Sequence, residues 1–415
     1  MVLTNRTVVK YSSEFYSLFD EFCFKAKNLH NVALYRIREA YFEYDATLSY
    51  NSLDKVLKRE QNIDYLNMPL ASSSQWTLQA VFKVWESFWA SMRAYGVAPD
   101  KFLGKPQMPK YLHKTKGRSI IYLTNQNVKV KDGVLHFPKS FNGFTVPTVI
   151  TADRIQQVRI VPKNRHFVVE IIYKTDDEPL RADNSRYLGV DLGLDNFATV
   201  VSNDGSEPVL ISGKGLKSLN KHWNKRMAHL REVETSMNGY WITTKAGKAK
   251  VSEETKQQAN LTNKRNNQVR DFCHKGSKMI INLALERGCN TIVVGKNDNW
   301  KQNSKMNRKV NQSFIQIPHA TFIDMLEYKC RKNGLNLEII EEAHTSKTSW
   351  LDDEQPQQQE KYVGKRVKRG LFRSSQGKLI NADVNGALQI VRKVFPKAKT
   401  DGIWAYGQPV RVDVV

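Results

Sequence analysis

The stretch YLGVDLGLDNFATVV, residues 187–201, decides the fold of the second half of this chain. An apolar run at 187–192 contains a single acid, Asp191, and a second apolar run follows at 196–201. Short apolar runs bounded by Gly and polar residues predict buried strands, here joined as a hairpin. Acids are almost never fully buried unless they have a partner. The stretch therefore predicts a sheet whose first strand carries a carboxylate with a specific role.

The elements that follow this hairpin alternate between strands and helices. EPVLISGKG (207–215) predicts a third strand, and the long, polar and basic region 214–288 predicts helices. NTIVVGKN (290–297) and LNLEIIEEA (335–343) predict further strands, and PHATFIDMLEYKCRKNG (318–334) and INADVNGALQIVRKVF (380–395) predict helices. An antiparallel three-stranded start followed by alternating helices and strands is the order of a ribonuclease-H-like α/β fold.

The first half has a different organisation. Residues 1–10 predict a strand, and residues 12–45 and 72–96 predict amphipathic helices. From about residue 105 the pattern becomes that of strands, with an Asp-Gly hairpin turn and a second hairpin around a basic turn of four residues. We therefore expect a helical segment, 11–104, inserted into a β segment made of residues 1–10 and 105–180.

The charge of the chain indicates a polyanionic partner. Among 415 residues, 64 Lys and Arg oppose 41 Asp and Glu, which gives a net charge of +23. An excess of this size is typical of proteins that bind nucleic acid, although charge that only maintains solubility is the alternative. The four cysteines are scattered without a CxxC pair, which argues against a disulfide framework and a zinc ribbon. No apolar run is long enough to span a bilayer, and the N-terminus lacks a secretion signal, so we expect a cytoplasmic protein without a membrane partner.

Two acids are candidates for a common metal site. Asp191 lies on the first predicted strand of the second half, and Asp383 lies in the first turn of the last helix. Ligands of one ion must come from separate elements, because neighbours on one strand point to opposite faces. Asn381 is a candidate cap for the helix, and the helix N-terminus favours a carboxylate at 383. Taken alone, Asp383 also fits an ordinary acid at a helix start.

The second half resembles the RuvC nuclease domain of the TnpB family, transposon-encoded proteins related to the compact Cas12 effectors. The motifs that carry the resemblance are GVDLGLDNFATVV, RDFCHKGSK, NTIVVG, HTSK, GLFRSSQGKLINADVNGALQIVRKVF and GQPVRVDVV. It implies an α+β multidomain protein: a split β-barrel wedge domain (1–10 and 105–180), a helical recognition domain (11–104) and a RuvC domain (181–415). The implied activity is RNA-guided DNA cleavage, with a guide RNA, a target double-stranded DNA with a flanking motif, and two Mg²⁺ ions as cofactors.

The chain departs from the family pattern at two places. Gly295 stands where a Glu usually follows the TIVV strand, and the insertion at about 345–380 contains no cysteine, so no zinc is expected. Glu341 and Glu342, at the end of a neighbouring predicted strand, are the candidates for the third carboxylate, with Glu342 preferred because it is nearer the strand end. The alternatives are a solvated acid pair at 341–342 and a substitute acid at Asp298.

The loss of the usual Glu leaves a second function open, a nuclease-dead RNA-guided repressor, while a strand-joining transposase finds no specific support in the sequence. The resemblance implies a prokaryotic cytosol or nucleoid location, and a homodimer is compatible with the sequence. The basic residues predicted to contact nucleic acid, for which solvated loops are the alternative, are Lys110, His113, Lys114, Lys116, Arg118, Lys163, Arg165, Arg270, His274, Lys275, Lys365, Arg366, Lys368 and Arg369.

Overall fold

The computed structural model describes residues 1–244, 247–296, 312, 315–398 and 409–414. The chain divides into two compact units, Met1–Thr175 and Asp176–Val415. Both units are mixed α/β structures. In the described residues, no helix is both long and apolar enough to cross a membrane.

The first unit combines helices with two antiparallel sheets. Its helices are α1 (Tyr16–Tyr44), α2 (Tyr50–Arg59), α3 (Ile63–Leu66) and α4 (Ala71–Val97). Its strands are β1 (Val2–Lys10), β2 (Ile121–Thr124), β3 (Lys129–Lys131), β4 (Val134–His136), β5 (Thr145–Pro147), β6 (Ile155–Lys163) and β7 (His166–Lys174). They form an open sheet in the order β1-β7-β6-β2 and a smaller one in the order β3-β4-β5, and the described strands do not close a barrel.

The turns of the first unit follow the local sequence. Asp132 and Gly133 both have positive φ between β3 and β4, as the predicted Asp-Gly hairpin requires. The predicted basic turn of four residues between β6 and β7 is Lys163–His166: Lys163 pairs with His166, and Asn164 and Arg165 are the two central residues. Arg165 adopts a φ of +58°, and its side chain is exposed.

The second unit is built around one central sheet. The strands are β8 (Tyr187–Leu192), β9 (Asn196–Ser202), β10 (Val209–Ser212), β13 (Thr291–Gly295), β14 (Asn336–Ile340) and β18 (Val410–Val412), in the order β14-β13-β8-β9-β10-β18. Strands β8, β9 and β10 are antiparallel, as predicted from the sequence, whereas β13 runs parallel to both β8 and β14. The helices are α5 (Lys214–Asn238), α6 (Lys256–Glu286), α7 (His319–Lys332) and α8 (Ala382–Val394).

Alternation along the strands assigns one face of this sheet to α6 and α7 and the other to α8. Leu188 and Val190 of β8 pack with Ile280 of α6 and Phe322 of α7. Tyr187, from the opposite parity, packs with Ala387 and other residues of α8. Asp191 shares the parity of Tyr187, so it lies on the face that α8 covers.

Two parts of the second unit differ from the sequence prediction. The region 214–288 is not helical throughout, because a hairpin of β11 (Tyr240–Thr244) and β12 (Gly247–Val251) separates α5 from α6. The cysteine-free insertion contains a three-stranded sheet of β15 (Lys365–Lys368), β16 (Leu371–Arg373) and β17 (Leu379–Asn381). The basic run GKRVKRGLFR is therefore an ordered hairpin and not a flexible loop.

Candidate active site

The acids of the candidate site meet where β8, α8 and the chain after β14 come together. Burial, followed by the nearby charge of Asp383, raises the pKa of Asp191 to about 7. Burial, followed by the charge of Asp191, raises the pKa of Glu342 to about 8. Asp191 thus lies within electrostatic reach of both other acids. Carboxylates that repel one another in a desolvated place create a strong preference for a bound cation.

Glu342, and not Glu341, is the glutamate that joins this group. Glu342 turns its carboxyl group inward, with Oε1 shielded from solvent, whereas Glu341 is exposed. Leu335, just before β14, and Leu337 on β14 pack into the core beneath α7. A Cβ at Gly295 would meet both the Glu342 side chain and Ile390 of α8, so Glu342 lies on the α8 side of the sheet. The preference for Glu342 made from its position in the sequence therefore agrees with its placement.

Gly295 leaves the space that Glu342 fills. A Cβ atom at position 295 would lie 2.4 Å from both Cγ and Oε1 of Glu342, and 2.6 Å from Cδ1 of Ile390. Real Cβ atoms do not approach other atoms this closely, so the inward conformation of Glu342 requires glycine at position 295. The chain after β14 therefore places an acidic side chain beside Gly295 at the end of β13.

The N-terminus of α8 holds Asp383 in place. Asn381 caps the helix, as predicted, by accepting hydrogen bonds from the backbone N–H groups of Asp383 (3.0 Å) and Val384 (3.2 Å). The Asp383 carboxylate accepts a hydrogen bond from Nδ2 of Asn196 at 2.7 Å and pairs with Arg366 at 3.3 Å. Gly386 allows α8 to lie close to the Asp191 side chain, because a Cβ atom at position 386 would lie 2.9 Å from Oδ2 of Asp191.

The donor chemistry of these acids fits Mg²⁺, which prefers oxygen ligands and is commonly bound by few carboxylates together with water and phosphate. In the described residues, no three Asp, Glu, His or Cys side chains are gathered as a complete metal-binding group. Arg366 instead provides the positive charge next to Asp383. The residues thus supply the right ligand type and an unfavourable clustering of negative charge that a cation would relieve.

A cleft of about 650 Å³ is lined by Asp191 and Asp383, but not by Glu342, and contains both signs of charge. Its basic lining residues are Lys214, Arg366, Arg369 and Arg411. Arg369 and Lys217 both pair with Asp195, and Arg411 donates a hydrogen bond to Asn196 at 3.1 Å. Sequence reasoning found Arg366 and Arg369 but missed Lys214, Asp195, Asn196 and Arg411. Basic groups opposite carboxylates are suited to a phosphodiester that bridges them.

The comparisons with known proteins agree with the resemblance that the sequence motifs carry. A family described as "Probable transposase" (OrfB_IS605) matches residues 170–301, and one described as "Cas12f1-like, TNB domain" matches residues 319–390. The resemblance to the TnpB and Cas12 proteins is confirmed. No curated protein matches the chain.

Solved Cas12 structures share the fold of this TnpB-like chain at low identity. One, titled "Structure of the mini-RNA-guided endonuclease CRISPR-Cas_phi3", is 11% identical with a TM-score of 0.51, covering 97% of this chain and 93% of that one. Another, CasPhi-2 (Cas12j) bound to crRNA and phosphorothioate-DNA, is also 11% identical with a TM-score of 0.51, covering 96% and 92%. These similarities establish a common mixed α/β fold.

The basic residues predicted to contact nucleic acid in this TnpB-like chain differ in their exposure and in the groups that they contact. Most of the fourteen basic residues are exposed, whereas Arg118 and His274 are partly buried. Arg118 donates to both carboxylate oxygens of Asp20 (2.8 and 2.7 Å) and lies over the ring of Phe24, which gives it a structural role within the first unit. The backbone carbonyl of His274 accepts a hydrogen bond from Lys329 at 2.6 Å. Asp298, the remaining acidic candidate, lies outside the described residues.

The cysteine-free insertion is held by packing and hydrogen bonds. Trp350, Phe372 and Ile380 are buried with residues of α8, and the guanidinium of Arg392 lies 3.7 Å from the ring centre of Trp350. Asn385 accepts a hydrogen bond from the backbone N–H of Trp350 (2.9 Å) and donates one to the carbonyl of Thr348 (2.8 Å). These contacts give the insertion a source of stability that requires no metal.

We expect zinc chelation to leave the melting temperature unchanged and Trp350→Ala to lower the free energy of unfolding by about 3–5 kcal/mol, the usual loss for a buried aromatic side chain. The measurement is thermal unfolding with and without a zinc chelator, together with the zinc content of the purified protein. Stoichiometric zinc, or a lower melting temperature in chelator, would contradict this prediction. Leu379→Ala is the matched control, because Leu379 is exposed in the same small sheet.

Proposed function

We propose that this protein is an RNA-guided DNA endonuclease of the RuvC type. The observation that carries the proposal is the convergence of Asp191, Glu342 and Asp383 from three separate elements on the α8 face of the sheet. The strand order of that sheet supports a ribonuclease-H-like assignment of the second unit. The two sheets and the helices of the first unit support the wedge and recognition assignments.

The three carboxylates would hold Mg²⁺, which supplies an activated water and neutralises charge on the leaving oxygen. Asp191 would supply the central ligand, since it lies near both of the other acids. Arg366 and Arg369 come from one hairpin at the edge of the cleft and would hold phosphate oxygens of the strand being cut. Asn196 orients Asp383 through its 2.7 Å hydrogen bond.

The solved relatives suggest the substrate. One is titled an RNA-guided endonuclease, and another is bound to crRNA and phosphorothioate-DNA. For this chain we infer a guide RNA and a double-stranded DNA target with a flanking motif. Base pairing with the guide would read the sequence, while the protein would read the flanking duplex and the shape of the heteroduplex.

The proposal is tested with the complex of protein and co-purified RNA. The RNA is sequenced, and plasmids carrying the matching target beside a randomised flank are incubated with the complex and Mg²⁺. We expect cleavage that requires the matching target and Mg²⁺. Target binding without cleavage would replace the proposal with the nuclease-dead repressor. A joined DNA product would replace it with the strand transfer that the words "Probable transposase" describe.

Target binding should also depend steeply on salt, because the chain carries a net charge of +23. A protein that contacts six or more phosphates loses roughly 1000-fold or more in affinity between about 50 and 200 mM salt. We expect a loss of that size for the guide-loaded protein. The double substitution Lys365→Gln and Lys368→Gln, on the exposed strand β15, should change how steeply affinity falls with salt. The slope of log affinity against log salt concentration should decrease by about one unit per lost phosphate contact. An affinity that hardly changes with salt would contradict the electrostatic interpretation.

A further inference from the structure

The hairpin of β11 and β12 presents two different faces to solvent. Residues directly opposite each other in an antiparallel pair share a face. Trp241 is opposite Lys250 and Thr243 is opposite Lys248, so one face combines an indole with two ammonium groups. The other face is apolar, with Tyr240 opposite Val251 and Ile242 opposite Ala249.

The composition and exposure of this hairpin are not those of a structural element. All of β11 is exposed, and the Trp241 side chain is 67% exposed. Residues 240–251 contain three lysines and no acid. Among the described residues, Lys250 makes a long contact, 3.5 Å, with the carbonyl of Ser236. A large indole left in solvent beside lysines adds little to folding, so its placement points to a ligand.

We propose that the Trp241–Lys248–Lys250 face of this hairpin is a binding platform for a single strand of nucleic acid. A base stacks on the exposed indole, and the two ammonium groups bind phosphates on either side of that base. Stacking tolerates every base, and lysines contact phosphate without reading sequence, so the platform binds without sequence preference. A duplex does not fit this chemistry, because its bases are already stacked on each other.

The hairpin is joined at both ends to long helices of the second unit, α5 and α6. A platform there would hold a single strand that belongs to the same complex as the acidic site. This assignment rests on the proposed function for the origin of that strand, which is either guide RNA or displaced DNA. The binding chemistry itself depends only on the hairpin.

The test measures binding and not cleavage, so that it succeeds or fails separately from the nuclease proposal. The full-length protein is titrated with fluorescein-labelled 12-residue oligo-dT and oligo-U across a range of salt concentrations. We expect Trp241→Ala to weaken binding by at least about fivefold, the lower end of the effect of losing one stacked base, and Trp241→Tyr to restore most of it. The stronger of the two probes identifies the source of the strand.

Lys248→Gln with Lys250→Gln should reduce the salt slope by about 1.4, which is about 0.7 for each contact with a single-strand phosphate. The matched control is Tyr240→Ala with Ile242→Ala, which removes exposed side chains from the opposite face and should leave binding unchanged. Unaltered binding by the Trp241 and lysine variants would overturn the proposal. Equal losses in the control would overturn it as well.

Discussion

Replacement of Asp191 or Asp383 by Ala is expected to abolish target cleavage while leaving the affinity for guide and target nearly unchanged. Each substitution removes a carboxylate that would bind Mg²⁺ directly. The loss should therefore exceed the roughly 10- to 100-fold that follows the loss of an outer-shell partner of a metal ligand. The phosphate-binding surface consists mostly of other, basic residues, so binding is preserved. The measurements are cleavage rate at saturating guide and Mg²⁺, and target affinity in chelator.

Stability provides the control that separates a catalytic from a structural role. The pKa of Asp191 is raised from 3.8 to about 7, so the folded state binds a proton more tightly than the unfolded state. Without Mg²⁺, this group therefore lowers the free energy of unfolding as the pH rises through that window. Asp191→Asn should remove this pH-dependent loss of stability and raise the melting temperature of the metal-free protein at pH 8. Equal losses of cleavage, binding and stability would instead identify the acid as structural.

Much of this arrangement follows from the sequence because buried strands carry a strong local signal. Runs such as TIVVG and the stretch around Asp191 fix β13, β8 and β9, and the Asn381 cap fixes the start of α8. The choice between Glu341 and Glu342 did not follow from the alternation along the strand, and only proximity to the strand end favoured Glu342. It depends on β14 being the edge strand, with Leu335 and Leu337 packed beneath α7, which is a tertiary fact.

The elements that sequence reasoning missed lack a buried face. The hairpin β11–β12 is largely exposed, and only its second strand, GKAKV, alternates apolar or small residues with polar ones, so the local strand signal is weak. Strands β15–β17 are short and contribute few residues, such as Phe372, to a core supplied largely by other elements. Lys214 and Arg411 are brought to the cleft by the central sheet, which joins residues that are far apart in the sequence. Arg411 had one local signal, its position in the strand-like ending VRVDVV.

The second large effect concerns Glu342, the glutamate proposed as the third acid. Glu342→Ala is expected to reduce cleavage as severely as Asp191→Ala, because its carboxyl group is turned inward and electrostatically coupled to Asp191. Glu341→Ala should remain close to the unmutated rate, since Glu341 is exposed. The cleavage rate of both single mutants and of the double mutant decides between them. Near-normal cleavage by the double mutant would exclude both and leave Asp298 as the candidate.

The space around Gly295 allows the carboxylate to be moved from position 342 to position 295. Gly295→Glu alone should be inactive or unstable, because its Cβ would lie 2.4 Å from the Glu342 side chain. In Glu342→Ala that obstruction is gone, and the other close atom, Cδ1 of Ile390, is the end of a flexible side chain. Gly295→Glu with Glu342→Ala should therefore recover part of the cleavage. Gly295→Gln with Glu342→Ala fills the same space without a carboxylate and should recover none. Equal recovery by both double mutants would show that the substitution restores packing and not a metal ligand. If the unmutated protein bound its target but did not cleave it, the nuclease-dead repressor would be favoured.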